Sequence, residues 1–271
     1  MPELPEVETT LRGIAPLVLG RRIAALHLRQ PALRWPVPTE LTTGLPGQTI
    51  RNGSRRGKYL LLALDQGHLL LHLGMSGSLR LVAADAVPGT HDHFDLVLDC
   101  GTALRFTDPR RFGALLWVTG DPALHPLLRD LGPEPLSDAF SADYLHRRAH
   151  GRRVPIKSLL MDSRVVVGIG NIYANEILYL SGVHPLRAAG RIALPRYREV
   201  VAHAKAVLAK AIAEGGTTLR NFVGGDGKPG YFRQQLCVYG RAGEPCPGCA
   251  APLREVRLAQ RTTVYCPRCQ R

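Results

Sequence analysis

The first three residues, Met1-Pro2-Glu3, place side by side two groups that could do chemistry together. Removal of Met1 would leave the Pro2 ring nitrogen as a free secondary amine. Such an amine titrates at about pH 8, roughly two units below a lysine, so a useful fraction is unprotonated at neutral pH. An unprotonated amine attacks electrophilic carbon and forms Schiff bases, and Glu3 would lie within reach as a proton donor or acceptor. The competing interpretation is that Pro2 only begins a polar turn.

Four cysteines near the end of the chain have the spacing of a zinc site. Cys246 and Cys249 form one Cys-X-X-Cys pair, and Cys266 and Cys269 form another. Four thiolates close a tetrahedral shell and leave no position for water, so the pattern predicts one structural zinc ion. Disulfides are the alternative, which an intracellular chain disfavours. The two remaining cysteines, at positions 100 and 237, are predicted to be buried thiols.

The composition indicates a globular protein with a polyanionic partner. The 271 residues carry a formal net charge of +13, with 45% hydrophobic and 21% charged residues. Nucleic acid is the first candidate partner, and an anionic membrane surface is the second. No apolar stretch approaches the roughly 20 residues of a membrane span, and acids stand where a signal peptide is basic. We therefore expect an intracellular, cytoplasmic protein.

The residue pattern also predicts the elements that would position these groups. Apolar residues at helical spacing predict a helix over residues 6–19. Residues 21–118 contain short strands with turns between them, including hairpin turns at 65–67 and 99–102. This pattern indicates an antiparallel sandwich or barrel.

The second half of the chain has a helical pattern. A Gly-Pro-rich linker at residues 132–135 precedes it. Four helices are predicted: one begins near residue 143, and the others cover 156–161, 171–180 and 195–214. A glycine-rich loop follows at residues 217–231.

Several short motifs appear in order along the chain. They are Met1-Pro-Glu-Leu-Pro-Glu-Val-Glu8, His72-Leu-Gly-Met-Ser-Gly77, Asp108-Pro-Arg-Arg-Phe-Gly113, Gly168-Ile-Gly-Asn-Ile-Tyr173 and Gly225-Asp-Gly-Lys-Pro-Gly230. With the zinc pattern, they closely resemble the bacterial formamidopyrimidine-DNA glycosylase family, whose members remove 8-oxoguanine and ring-opened purines. The resemblance covers essentially the whole chain.

The resemblance implies an α+β multidomain fold. An N-terminal helix and antiparallel β-sandwich would form the catalytic domain over residues 1–133. A linker and a helix–two-turn–helix DNA-binding domain would cover 134–235, and a four-cysteine zinc ribbon would cover 236–271. The family also implies a monomer that acts on damaged double-stranded DNA and needs no organic cofactor.

The resemblance implies a base-excision repair enzyme that is both a glycosylase and an AP lyase. Pro2 would attack C1′ of the damaged nucleotide, and the base would depart. A Schiff base would then link Pro2 to the opened sugar, and β- and δ-elimination would cut the strand. Glu3 would act as the general acid, and Lys58 would contact phosphate and the active site. Glu6 would orient these groups, although it could also be an ordinary acid of a helix N-terminus.

DNA-contacting residues follow from the same resemblance. The damaged nucleotide must leave the stack, and Met75, Arg110 and Phe112 would fill the gap. The alternative for Met75 and Phe112 is core packing. Further DNA contacts are expected from His72, Arg111, Lys157, Asn171, Tyr239 and Arg261. Asn171 could instead be a simple helix cap, and the loop at 217–231 would read the lesion through backbone N–H groups.

Three other functions compete with this one. An endonuclease VIII-like enzyme for oxidised pyrimidines would share Pro2, Glu3 and the ribbon, but residues 4–7 and the Met75, Arg110 and Phe112 set favour the purine enzyme. A non-catalytic zinc-ribbon protein would bind DNA and never cross-link to it. A tautomerase with an N-terminal proline would be a shorter chain without the ribbon.

Overall fold

A computed structural model of the chain describes residues 2–216 and 235–271. These residues form two compact units. The first unit comprises residues 2–129 with 214–216, and the second comprises residues 130–213 with 235–271. The first unit contains an N-terminal helix and two β-sheets, and the second contains helices and a two-stranded ribbon.

Helix α1 (Leu4–Val18) opens the first unit and buries one apolar face. Leu11, Ile14 and Val18 lie on that face and belong to the core of the unit. The helix begins two residues earlier than predicted because Glu3 and Glu6 form a capping box around its first turn. Such a box satisfies backbone N–H groups that have no partner within the helix.

The first unit contains two antiparallel four-stranded sheets in the part of the chain that is described. Their strands are β1 (Ile23–Leu28), β2 (Ile50–Arg56), β3 (Tyr59–Leu64), β4 (His68–His72), β5 (Ser78–Ala83), β6 (Asp92–Leu98), β7 (Thr102–Thr107) and β8 (Ala114–Val118). The orders are β1-β6-β7-β5 and β2-β3-β4-β8, and the short helix α2 (Leu41–Gly44) joins β1 to β2. Side chains from both sheets and α1 share one apolar core, which confirms the predicted sandwich.

Both predicted hairpin turns are present. The β3–β4 turn contains Gly67 at φ +74°, and the β6–β7 turn contains Gly101 at φ +77°. Cys100 lies in the second turn and is exposed, so the prediction of a buried thiol was wrong there. A hairpin turn projects beyond its sheet, and an apolar side chain in it has no core to enter. Cys237, the other predicted buried thiol, is half-buried.

Four α-helices and a ribbon build the described part of the second unit. They are α3 (Ala142–Ala149), α4 (Ile156–Leu160), α5 (Asn171–Leu180), α6 (Leu194–Ala213), β9 (Arg254–Leu258) and β10 (Arg261–Tyr265). Ser141 caps α3 by accepting the Tyr144 N–H at 3.1 Å. The buried face of α6 packs against α3 and α5. None of the helices in the described residues is long and apolar enough to cross a bilayer.

Candidate active site and nucleic-acid interface

The N-terminus of α1 holds the predicted nucleophile and both acids. Pro2 is buried, and the side chains of Glu3 and Glu6 are 1% and 0% exposed. The Glu3 N–H donates to Glu6 Oε2 at 2.8 Å, and the Glu3 side chain accepts from the backbone of the helix. The positive end of the helix dipole favours carboxylates at this position. These bonds fix the backbone that directly follows Pro2: Glu3 is the N-cap of α1, and Glu6 accepts its backbone N–H.

Gly216 is a further residue at this site. Its φ is +80°, and an added Cβ would lie 3.2 Å from Glu6 Oε1. The position therefore requires glycine for its backbone conformation and leaves little room for a side chain. The sequence offers a signal in Gly215-Gly216, but that pair by itself predicts only the end of a helix. The predicted base-recognition loop at 217–231 lies outside the described residues.

His72 lies at the end of β4, where it pairs with Tyr59 across the sheet, and their rings are 4.8 Å apart. Burial, together with the charges of Lys58 and Arg34, lowers the pKa of His72 to about 4, and the charge of Asp108 opposes this shift. His72 is therefore neutral at pH 7. Its Nδ1 accepts the Gly74 N–H at 3.0 Å, which leaves the ring proton on Nε2. That N–H can donate to a phosphate oxygen.

Asp108 joins two loops that carry predicted DNA contacts. We name them the Met75 loop (residues 73–77) and the Phe112 loop (residues 108–113). Ser76 Oγ donates to Asp108 Oδ1 at 2.6 Å, and the Gly113 N–H donates to Oδ2 at 2.8 Å. The Asp108 carbonyl accepts from His93 Nε2 at 2.6 Å, and Asp108 is 0% exposed. The prediction of site residues did not include Asp108, because nothing local distinguishes it from an ordinary turn residue.

The two loops present their large side chains to solvent. Met75 is 40% exposed and Phe112 is 42% exposed, which argues against core packing for both. The Arg110 guanidinium lies 4.9 Å from the centre of the Phe112 ring, a cation–π contact. An added Cβ at Gly74 would lie 2.5 Å from the Gly113 nitrogen, so the two loops touch through their backbones. Arg111, at φ +57°, is exposed between Arg110 and Phe112.

Lys157 and Asn171 in the second unit both bind the ribbon. Lys157 Nζ donates to the Thr262 carbonyl at 3.0 Å and to Thr263 Oγ1 at 2.7 Å. Asn171 Nδ2 donates to the same Thr262 carbonyl at 3.0 Å. Gly170 is the N-cap of α5, so Asn171 is not a simple cap. Lys157 is 1% exposed, and a buried ammonium group requires such partners. The structure therefore gives Lys157 a direct role in positioning β10.

Tyr239 is positioned by an acid on α5. Glu176, 2% exposed, accepts the backbone N–H groups of Cys237, Val238 and Tyr239 at 2.7, 3.0 and 2.8 Å. Burial raises the pKa of Glu176, and these three donors oppose the rise. Glu176 was missed at the level of sequence, although an acid inside an otherwise apolar helix face was a usable signal.

Arg261 lies just after the tip of the β9–β10 hairpin and is exposed. The tip is the two-residue turn Ala259-Gln260, with φ values of +46° and +61°. Positive φ at both positions is the mark of a type I′ turn, whose twist matches that of the strands. The turn places the Arg261 side chain at the end of the ribbon, where a phosphate could reach it.

The four ribbon cysteines form a cluster suited to zinc. Their Sγ atoms all lie within 4.8 Å of one another. The Cys246–Cys269 and Cys249–Cys266 Sγ distances are 3.9 and 3.5 Å. Zinc–sulfur bonds of about 2.3 Å in a tetrahedron give sulfur–sulfur distances of about 3.8 Å. The site therefore fits one structural zinc ion, as predicted, and the cluster packs against the small core of the ribbon.

Arginines on exposed loops, a four-cysteine ribbon and a strong positive charge define a zinc-ribbon protein that binds nucleic acid. Three family descriptions match the chain. They are the formamidopyrimidine-DNA glycosylase N-terminal domain over residues 1–115, the formamidopyrimidine-DNA glycosylase H2TH domain over 131–223, and the zinc finger found in FPG and IleRS over 243–271. The chain belongs to the formamidopyrimidine-DNA glycosylase family.

Curated relatives are similar in sequence to this chain over its full length. The formamidopyrimidine-DNA glycosylase of Teredinibacter turnerae is 60% identical, and that of Cellvibrio japonicus is 57% identical, each with 100% of both chains covered. Among solved structures, the MutM (Fpg) protein of Thermus thermophilus is 42% identical, with a TM-score of 0.90 over 99% of this chain and 98% of that one. Lactococcus lactis Fpg in complex with abasic-site DNA is 33% identical, with a TM-score of 0.92 over 99% of both chains.

Proposed function

We propose that the nitrogen of Pro2, freed by removal of Met1, is the nucleophile of this enzyme. As a member of its family, the enzyme is a DNA-formamidopyrimidine glycosylase with AP lyase activity. It acts in base-excision repair on oxidised purines in damaged double-stranded DNA. The observation that carries the proposal is the pair of buried acids at the start of α1, held by the Glu3–Glu6 hydrogen bond directly after Pro2.

The reaction follows from an amine beside a carboxylic acid. The Pro2 nitrogen attacks C1′, and the bond between C1′ and the base breaks, so the base leaves with the bonding electrons and is protonated. Glu3 donates a proton to the sugar ring oxygen as the C1′–O4′ bond breaks. The nitrogen loses its proton and forms an iminium ion, which is the Schiff base. Loss of the 3′ phosphate by β-elimination and of the 5′ phosphate by δ-elimination then cuts the strand.

The exposed loops supply the proposed DNA contacts of the first unit. Met75 and Phe112 enter the base stack where the damaged nucleotide has left it, and Arg110 faces the orphaned cytosine. Their exposure and the neighbouring backbones of the two loops support this role. Lys58, the neutral His72 and Arg111 bind backbone phosphates.

The second unit contributes phosphate contacts from Asn171, Tyr239 and Arg261. Lys157 acts there through the ribbon that it holds. The enzyme works as a monomer in the bacterial cytoplasm, associated with the nucleoid through its DNA.

Borohydride trapping tests this function. Protein lacking Met1 is mixed with a duplex carrying 8-oxoguanine opposite cytosine and reduced, and the adduct is mapped by mass spectrometry. We expect a covalent complex on the Pro2 peptide. Protein that keeps Met1 is the matched control, since its Pro2 nitrogen is an amide and forms no adduct.

Other results would point to the competing functions. An adduct only with a thymine glycol duplex would favour an endonuclease VIII-like enzyme. Binding without an adduct on either duplex, from protein verified to lack Met1, would favour a non-catalytic DNA-binding protein.

A further inference from the structure

A cavity of about 620 Å³ in the first unit lies beside the Phe112 loop. Its lining residues are Ala32, Leu33, Arg34, Arg110, Arg111 and Phe112. Three of these six are arginines and none is acidic. Arg34 belongs to neither the predicted site residues nor the motifs that identified the family.

The three arginines of this cavity differ from other arginines of the same unit. Arg29, Arg55 and Arg105 form ion pairs with carboxylates at 2.7 to 2.9 Å. Within the described residues, no carboxylate lies within 4.0 Å of the guanidinium groups that line the cavity. Like charges around one cavity repel each other and attract anions, so the cavity favours a polyanion.

The chain holds Arg34 in place next to the Phe112 loop. Its backbone N–H donates to the Gly113 carbonyl at 3.1 Å. Its guanidinium lies 4.9 Å from the centre of the Trp35 ring. Stacking on an aromatic ring uses the flat face of the guanidinium and leaves its N–H groups on the edge available for phosphate oxygens.

The position of Arg34 is also continuous with the proposed DNA surface. Its positive charge contributes to the low pKa of His72 and opposes the rise in the pKa of Tyr59 caused by burial. Arg34 therefore lies close enough to these two side chains for its charge to act on them.

We propose that Arg34 is an additional DNA ligand, which together with Arg111 binds a backbone phosphate of the duplex beside Arg110. The proposal rests on the proposed function of the chain as a DNA-repair enzyme. A duplex is favoured over a free nucleotide because the site continues along the loops that carry Met75 and Phe112.

Salt-dependent binding tests the proposal. The dissociation constant for a duplex with a tetrahydrofuran abasic analogue is measured from about 50 to 200 mM salt. Wild type is compared with Arg34→Ala, Arg34→Lys and the control Arg22→Ala, which removes an exposed arginine that has no ion pair among the described residues. Loss of one phosphate contact lowers the slope of log K against log salt by about 0.9, or about eightfold in affinity at about 0.1 M salt. Arg34→Ala should show this change, while Arg34→Lys and Arg22→Ala should keep the wild-type slope.

Two results would overturn the proposal. One is an Arg34→Ala affinity within twofold of wild type with an unchanged slope. The other is a lower affinity in Arg34→Ala with an unchanged slope, which would assign Arg34 a packing role on Trp35. Borohydride trapping at saturating DNA separates this inference from the proposed function. Arg34→Ala should still cross-link through Pro2. If wild type forms no adduct, that result counts against the proposed function. The salt slope then still decides whether Arg34 binds DNA.

Discussion

Replacement of Asp108 by asparagine tests how the Met75 and Phe112 loops are held together. The carboxylate accepts hydrogen bonds from Ser76 Oγ and the Arg110 N–H on one oxygen and from the Gly113 N–H on the other, and Asp108 has no solvent exposure. Asparagine keeps one acceptor oxygen, and its NH₂ group can donate to Ser76 Oγ. The charge is lost, and so is the second acceptor oxygen.

The size of the effect follows from these bonds. A hydrogen bond to a charged group contributes about 1.5–3 kcal/mol, so Asp108→Asn should lower the free energy of unfolding by roughly that amount. Asp108→Ala leaves the Ser76 hydroxyl and the Gly113 N–H without this acceptor. The Gly113 N–H is buried, whereas the Ser76 hydroxyl is half-buried. A buried donor without a partner costs about 1–3 kcal/mol, so the loss should be at least that amount.

The functional effect should appear in how strongly the enzyme discriminates between cytosine and adenine opposite 8-oxoguanine. Looser loops would misplace Arg110, which we propose faces the orphaned cytosine. Single-turnover excision of 8-oxoguanine opposite cytosine and opposite adenine should therefore become more alike in Asp108→Asn. Simple destabilisation would reduce both rates and preserve their ratio. Urea denaturation gives the stability, and Asp99→Asn, in the exposed β6–β7 turn, is the matched control.

The reasoning would be refuted by a variant that resembles wild type in both measurements. An unfolding free energy within about 0.5 kcal/mol of wild type is the change expected of an ordinary surface substitution. Together with an unchanged ratio of excision rates, it would show that the Asp108 carboxylate does not hold the two loops.

Three further predictions concern acid stability, histidine charge and zinc. Burial alone would raise the pKa of Asp95, but hydrogen bonds and charges from Arg105 and Arg29 hold it below its usual value. This network therefore stabilises the folded protein above about pH 4, and the stabilisation is lost as the pH falls further. Melting temperatures from about pH 3 to 7 should fall at the acid end in wild type, and Asp95→Asn should flatten that fall; parallel curves would contradict this. Because the pKa of His72 is about 4, DNA affinity should show no His72-dependent titration between about pH 6 and 8, and a titration that His72→Gln abolishes would contradict it. Chelation should release one zinc ion per chain and increase hydrogen exchange in β9 and β10; a ribbon that stays protected after the metal is lost would show that zinc is not needed for its fold.

Some features of this protein are determined by residues close together in the chain. The Cys-X-X-Cys pairs are local knuckles, and the helix predicted over residues 171–180 coincides with α5 because its repeat spans only a few residues. The capping box at Glu3 and Glu6 is also a three-residue relationship, which the sequence could have indicated. In each case the spacing itself fixes the geometry.

Other features depend on the tertiary structure. Ser76 meets Asp108 across 32 positions, and Lys157 meets Thr262 across 105. Helical and strand periodicities report which face of an element is buried, and they carry no information about which distant loop will lie against it. For the same reason Lys157, predicted at the DNA, is found buried against the ribbon. The sequence by itself therefore determined the chemistry proposed for Pro2 and the zinc cysteines. The tertiary structure decided which side chains hold the Met75 and Phe112 loops, because those contacts form only when the sheets pack.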